Sequence, residues 1–284
     1  MLDPGTKISD APIVAKKMQV ANILQTLNRF APPALAEDWD NVGLQVGYLE
    51  EDLTGVLVSL DVTEAVLWEA VEHNANCLVT HHPLFFQAFK SLDDRQVPTR
   101  LARLATQMGV NILSFHTNLD ATQSGLNDQL ASKLGMTRLK PLLPAADPRF
   151  AKAGLGRLGR VPKTSLKSFL KSCAKKLNVD HLRYVGDPRH SIEWVAVMTG
   201  SGGGFFNEAR EAGADVLLTG DVKYHHALDA LSQGIPLIDI GHFAGEIHMV
   251  PLVAEKIASY LKTQKSKIKV FTTSVQEDPF NFWP

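Results

Sequence analysis

Two stretches of this chain repeat one arrangement of apolar and polar positions. Val56–Thr80 reads VLVSLDVTEAVLWEAVEHNANCLVT and Val195–Thr219 reads VAVMTGSGGGFFNEAREAGADVLLT; the two align without a gap and share eight identical positions. Each runs from a continuous apolar stretch through a turn into an amphipathic helix ending at Asn74 or Gly213, then into a second short apolar stretch. That is the pattern of a strand–helix–strand unit. The apolar stretches do not alternate with polar positions, so both faces of the sheets are expected to be covered. A further helix and strand follow each unit, the strands spanning Val110–Phe115 and Ile235–Ile240. Helices are also predicted near Val20–Phe30 and over Phe243–Leu261.

The duplication predicts an α/β fold: two similar α/β halves, facing across a cleft that would hold metal. Residues 1–18 are expected to be a loose tail, 19–132 the first half, 133–152 a linker and 153–284 the second half, whose C-terminal helix is free to pack back on the first. The region from Lys133 to Glu193 turns basic and proline-bearing (KPLLPAADPRF), then continues as a helical stretch TSLKSFLKSCAKKLN and a strand-like HLRYVG.

At 284 residues and 45% hydrophobic content, the chain has the size and composition of a packed globular protein. Its 29 basic and 30 acidic side chains nearly cancel. Bulk charge therefore gives no reason to expect nucleic acid or an anionic membrane as a partner. Cys77 and Cys173 lie far apart with no CxxC pair, which suits two reduced thiols and a cytoplasmic location. The first residues lack the basic start and apolar run of a signal peptide, and no apolar stretch approaches a membrane span.

Chemistry concentrates where the repeated strands end. His81-His82-Pro83 follows the apolar run Cys77–Thr80, and Pro83 stops further ladder or helix there. The strands of the two halves lead into His116-Thr-Asn-Leu-Asp120 and His242-Phe-Ala-Gly-Glu246, so each half offers a histidine and, four residues later, a carboxylate. In α/β sheets, ligands gather at the carboxyl ends of strands. His242 and Glu246 at the start of a helix would share one face. A donor set of nitrogen and oxygen without thiolate points to an exchangeable or catalytic Zn, Mn, Fe, Co or Ni ion rather than a structural zinc knot. Five or six donors exceed the needs of one catalytic ion and suit two, about 3.5–4 Å apart. By spacing alone, His116 stands equal to Asp120.

Other motifs carry less. Gly154-Leu-Gly-Arg-Leu-Gly159 matches GxGxxG, but no apolar strand precedes it and Val161-Pro162 interrupts any helix, so it fails as a dinucleotide loop. Gly200-Ser-Gly-Gly-Gly204 lies between a strand and a helix, where a tight turn and an anion contact are equally served. His225-His226 falls inside a predicted helix and reads as packing or pocket lining. Asp40-Asn41-Val42-Gly43 reads as a turn and Asp61 as a helix cap.

Taken in order, Trp39-Asp-Asn-Val-Gly-Leu, Thr80-His-His-Pro-Leu, His116-Thr-Asn-Leu-Asp120, Thr219-Gly-Asp-Val-Lys-Tyr-His and Gly241-His-Phe-Ala-Gly-Glu246 resemble the NIF-three-like family, whose members are also called GTP cyclohydrolase 1 type 2 homologs. The resemblance runs from about Val20 to the C-terminus, in the form that lacks an inserted middle domain. It implies a dinuclear metal site with ligands at His81, His82, Asp120, His242 and Glu246, and His116 beside the ions as a candidate catalytic proton carrier. It also implies homohexamers and metal-dependent hydrolysis of a nucleotide-like small molecule. In the GTP version water adds at C8 of the guanine, the imidazole ring opens and formate leaves. Two-metal phosphoester hydrolysis, or a non-enzymatic role for a metal-binding hexamer, are the alternatives.

Overall fold

The apolar runs pair into two sheets in a computed structural model, which describes residues 17–283. Of the expected N-terminal tail, residues 1–16 lie outside the described residues. The first four strands are β1 (Gly43–Val46), β2 (Gly55–Ser59), β3 (Cys77–Thr80) and β4 (Asn111–Ser114). The next six are β5 (Thr137–Pro144), β6 (Gly154–Ser165), β7 (Arg183–Val185), β8 (Ser191–Val197), β9 (Val216–Thr219) and β10 (Leu237–Asp239), and the last is β11 (Lys269–Thr272). The first sheet has the order β1-β4-β3-β2-β11 and the second β5-β6-β8-β9-β10-β7.

The repeated units occupy matching places in these sheets. In the first, β2, β3 and β4 run parallel, and in the second β8, β9 and β10 do the same. Val56 pairs with Cys77 and Val195 with Val216, the same offset of 21 residues in each half. β2, β3, β4 and β9 are buried at every position, as strands covered on both faces must be.

One helix caps the first sheet from the far end of the chain. Helix Met249–Thr263 places Met249, Val253, Ile257 and Leu261 in one apolar cluster with Ile23 and Leu27 of helix Val20–Phe30 and Val56 and Val58 of β2. β11 then follows and runs parallel beside β2. No helix among the described residues is long and apolar enough to cross a membrane.

Two expectations need correction. The predicted helix Phe243–Leu261 is two helices, His242–Glu246 and Met249–Thr263. Pro251 has no N–H to donate back to Ile247, so it belongs in a first turn and forces a new helix to begin just before it. The stretch 133–152 is no plain linker, because it contains the end of helix Leu126–Leu134 and the edge strand β5. An edge position tolerates Pro141 and Pro144, which would break a central ladder. The GxGxxG stretch lies within β6, with no strand-to-helix turn for phosphates.

Candidate metal centre

Four imidazoles converge at the carboxyl ends of the parallel strands. His81 and His82 leave the end of β3, and His116 and His242 follow β4 and β10 respectively. His81 is completely buried. Ligand atoms of His81, His82 and His116 lie within 4.8 Å of one another, as do those of His82, His242 and Glu246. Short helices follow two of these strands: Thr117–Ala121, with His116 just before it, carries Asp120, and His242–Glu246 carries both His242 and Glu246.

Every one of these rings is held at Nδ1 by an oxygen acceptor. Nδ1 of His81 lies 2.8 Å from the carbonyl oxygen of Phe115, and Nδ1 of His82 lies 2.7 Å from Oδ1 of Asp61. His242 is held by Oδ2 of Asp221 at 2.7 Å and His116 by Oδ1 of Asp40 at 2.9 Å. An acceptor there requires Nδ1 to carry the hydrogen, which leaves the Nε2 lone pair of a neutral ring for something else.

The Nε2 atoms face carboxylates. Oε2 of Glu246 lies 3.1 Å from Nε2 of His82 and 2.9 Å from Nε2 of His242, and the two nitrogens are 3.2 Å apart. The other oxygen, Oε1, lies 3.7 Å from Nε2 of His81, which in turn is 3.8 Å from Oδ1 of Asp120. Nε2 of His81 and Oε2 of Glu246 are buried without a hydrogen-bond partner. Donors held about 2.0–2.1 Å from one ion stand about 2.9–3.4 Å from each other. The spacing of His82, His242 and Glu246 fits that figure, and the two orphaned buried atoms are what a cation would satisfy.

Without an ion the groups share protons instead. Burial alone would depress His82, but hydrogen bonds and charge from Asp61 and Glu246 hold it up at about 10. The hydrogen bond to Glu246 likewise lifts His242 to about 9 against its burial. Burial favours a neutral Glu246, yet the surrounding imidazoles, His81 first, keep its carboxyl well below the usual range. Burial pushes Asp120 upward. For Asp40, burial works upward too, but bonds from His116 and Thr117 hold it at about 2.

A cavity of about 670 Å³ opens onto these donors and is lined from both sheets' loops, including His116, Asp120, Thr199, Gly200 and Glu246. Gly200 has φ +65°, and a Cβ there would stand 2.6 Å from Oε1 of Glu246, so only glycine leaves the carboxylate room. Thr199 Oγ1 donates to Oδ1 of Asp120 at 2.8 Å, tying a donor of the first half to the second. His225 and His226 lie in helix Tyr224–Ser232 and join no group of closely spaced donors among the described residues. His226 packs instead against Gly203.

Asp40, Asp61 and Asp221 are the residues that sequence reasoning passed over. Asp61 and Asp40 read as a cap and a turn; Asp221 drew attention only within a longer motif. A usable signal existed in the offset of β2 and β3, since Asp61 and His82 are 21 apart as paired positions of those strands are, whereas Asp221 and His242 are 21 apart beyond strands offset by 20. Each pair sits side by side just past the ends of neighbouring parallel strands.

Relatives agree with the fold. A Clostridium perfringens protein named GTP cyclohydrolase 1 type 2 homolog is 35% identical over 266 residues, covering 93% of this chain and all of that one. A Lactococcus lactis protein of the same name is 32% identical over 93% of this chain and 99% of its own. The crystal structure of a Staphylococcus aureus hypothetical protein superposes with a TM-score of 0.88 at 30% identity, covering 94% of this chain and all of that one. A Bacillus cereus protein related to NIF3 superposes with a TM-score of 0.89 at 23% identity, over 94% and 100% of the two chains, a likeness of fold. The profile of Duf34/NIF3 (NGG1p interacting factor 3) matches residues 18–279, and this chain belongs to that family.

Proposed function

We propose that the chain is a dinuclear metalloprotein that hydrolyses a nucleotide-like small molecule in the cavity between its sheets. The observation that carries this reading is the orientation of Glu246, whose two oxygens face two different sets of donors. His82, His242 and Glu246 would hold one ion, and His81, Asp120 and Glu246 a second. His116 likewise has its Nδ1 fixed, here by Asp40, which leaves its Nε2 lone pair free and makes it the proton carrier of this proposal.

Two divalent ions so held would polarise a bound substrate and bring water into its nucleophilic form near neutral pH. The protein's own part is orientation and exclusion. Asp61, Asp221, Asp40 and the Phe115 carbonyl fix each imidazole, Thr199 fixes Asp120, and Gly200 keeps the approach to Glu246 open. His116 is placed to take a proton at Nε2 and lose it again, with Asp40 balancing the charge.

A homohexamer belongs to the same proposal. Trp68 and Val71 on helix Glu64–Glu72, and Leu228 and Leu231 on helix Tyr224–Ser232, are large apolar side chains left exposed on the single chain, which supports further burial by other copies. Light scattering of the purified protein measures the assembly.

The test couples elemental analysis to a product screen. Wild type should carry about two ions per chain and Glu246→Gln one or none. The loaded protein is then screened for formate release from GTP and phosphate release from nucleotides and simple phosphoesters. One ion per wild-type chain would end the dinuclear reading. Two exchangeable ions with no turnover on any substrate would end the hydrolase reading and leave a metal-binding protein.

A further inference from the structure

The wall of the cavity beyond the donors is aromatic and carries no positive charge. Trp39 and Phe86 line it and are 60% and 53% exposed. Both stand edge-on to His116, with ring centroids 5.9 and 5.6 Å away and planes inclined at 75° and 83°. Leu84, Val97 and Leu101 continue the apolar surface.

These rings are held in place rather than merely left outside. The loops that carry them are tied together by Asn41, whose Nδ2 donates to the Phe85 carbonyl at 2.8 Å and to Oε1 of Gln45 at 3.1 Å. Asp40, next to Trp39, accepts from the Thr117 N–H at 3.0 Å while it holds His116. A structure that fixes two exposed aromatic rings beside a reactive centre has prepared a stacking surface.

Charge narrows what would stack there. Among the described residues no lysine or arginine lines the cavity, and phosphate groups are ordinarily received by such cations. Five carboxylates, Asp120 and Glu246 among the donors and Asp40, Asp61 and Asp221 behind the imidazoles, would outweigh the four positive charges of two divalent ions. Little attraction remains for a polyphosphate.

Resting on the dinuclear reading above, we propose that the substrate is a planar heteroaromatic compound without a polyphosphate, a base or nucleoside rather than a nucleoside triphosphate. Its ring stacks on Trp39 and Phe86, and a polar ring substituent reaches the donors beside His116.

Calorimetric titration of metal-loaded protein tests this, with guanosine, quinoline-3-carboxylate, GTP and inorganic tripolyphosphate as probes. Wild type, Trp39→Ala and Phe86→Ala are compared, and metal content and assembly mass are measured on the same samples. The expected result is binding of at least one of the two planar probes to wild type, weakened about ten-fold or more in each variant with metal content and mass unchanged. GTP should bind no more tightly than guanosine. Tighter binding of GTP or tripolyphosphate by ten-fold overturns the proposal, as does failure of both planar probes or unchanged affinity in both variants. A change of assembly mass in the variants also overturns it, since the rings would then be covered by another copy. If wild type holds fewer than two ions while planar binding still depends on both rings, the dinuclear reading fails and the stacking surface stands.

Discussion

Nε2 of His82 and Nε2 of His242 stand 3.2 Å apart, although the first histidine leaves the first sheet and the second leaves the other. With each Nδ1 committed to an aspartate, two neutral rings would point lone pairs at one another. A proton or a cation has to lie between them, and Glu246 beside both supplies the balancing charge.

Metal should therefore stabilise the whole fold. Without an ion the two halves would be joined here by shared protons and the Thr199–Asp120 hydrogen bond, whereas an ion present at a hundred times its Kd would add about 2.7 kcal/mol. Thermal melts of loaded and chelator-stripped protein should differ by several degrees. Identical Tm values at saturating metal would contradict coordination from both halves.

Protons and ions should compete with opposite dependence on pH. In the ion-free protein His82 at about 10 and His242 at about 9 are raised above the ordinary imidazole value. The folded state thus holds protons that the unfolded chain releases near 6.5, so their stabilising contribution is full below about pH 6.5 and is lost as pH rises through 9 to 10. The Tm of stripped protein should fall over that window. Ion binding must expel the same protons, so affinity should rise with pH. Calorimetry in buffers of different ionisation enthalpy would register the release.

Gln276 should act on the site through Asp61. Its Nε2 donates to Oδ2 of Asp61 at 2.6 Å while its Oε1 accepts from the Leu60 N–H at 2.7 Å. Gln276→Ala should leave the unfolding free energy within about 1 kcal/mol of wild type but change how His82 is presented. In the cobalt-loaded protein the visible spectrum should shift and affinity at one ion should drop about ten-fold. An unaltered spectrum would make Gln276 a structural residue only.

Arg157 should be the costliest single loss in the second half. Although 1% exposed, it pairs with both oxygens of Asp128 at 2.8 and 2.7 Å and donates to the carbonyls of Gly154, Gly156 and Thr122. Through Thr122 it anchors the helix that bears Asp120 onto β6. Arg157→Ala should cost about 3–5 kcal/mol in urea denaturation. Adding Asp128→Leu should recover only part, because the carbonyls stay unsatisfied.

The parallel strands were legible because burial on both faces writes a continuous apolar run into each strand, and the helix Val20–Phe30 stands where its amphipathic pattern placed it. His81, His82, His116, Asp120, His242 and Glu246 were visible as donors at strand ends, and the structure brings all six to one place. The acceptors behind the imidazoles were not, because a lone aspartate after a strand looks like a cap whichever neighbour it faces. Strand pairing decides that, and pairing is a relation between distant segments. The helix break before Met249 was written in Pro251 but was masked by an unbroken apolar periodicity. Arg157 could not be foreseen as buried, since its partners are carbonyls and Asp128 on other elements.

The closing strand has a consequence for how the protein is made. Among the described residues β2 receives its outer neighbour from β11, and helix Met249–Thr263 completes the apolar cluster that holds Val56 and Val58, both late in the second half. The first sheet thus stays open along one edge until those segments have been made. His242 and Glu246 also arrive late. Any metal held by donors of both halves would have to wait for His242 and Glu246, and the early sheet is the part most in need of a chaperone meanwhile.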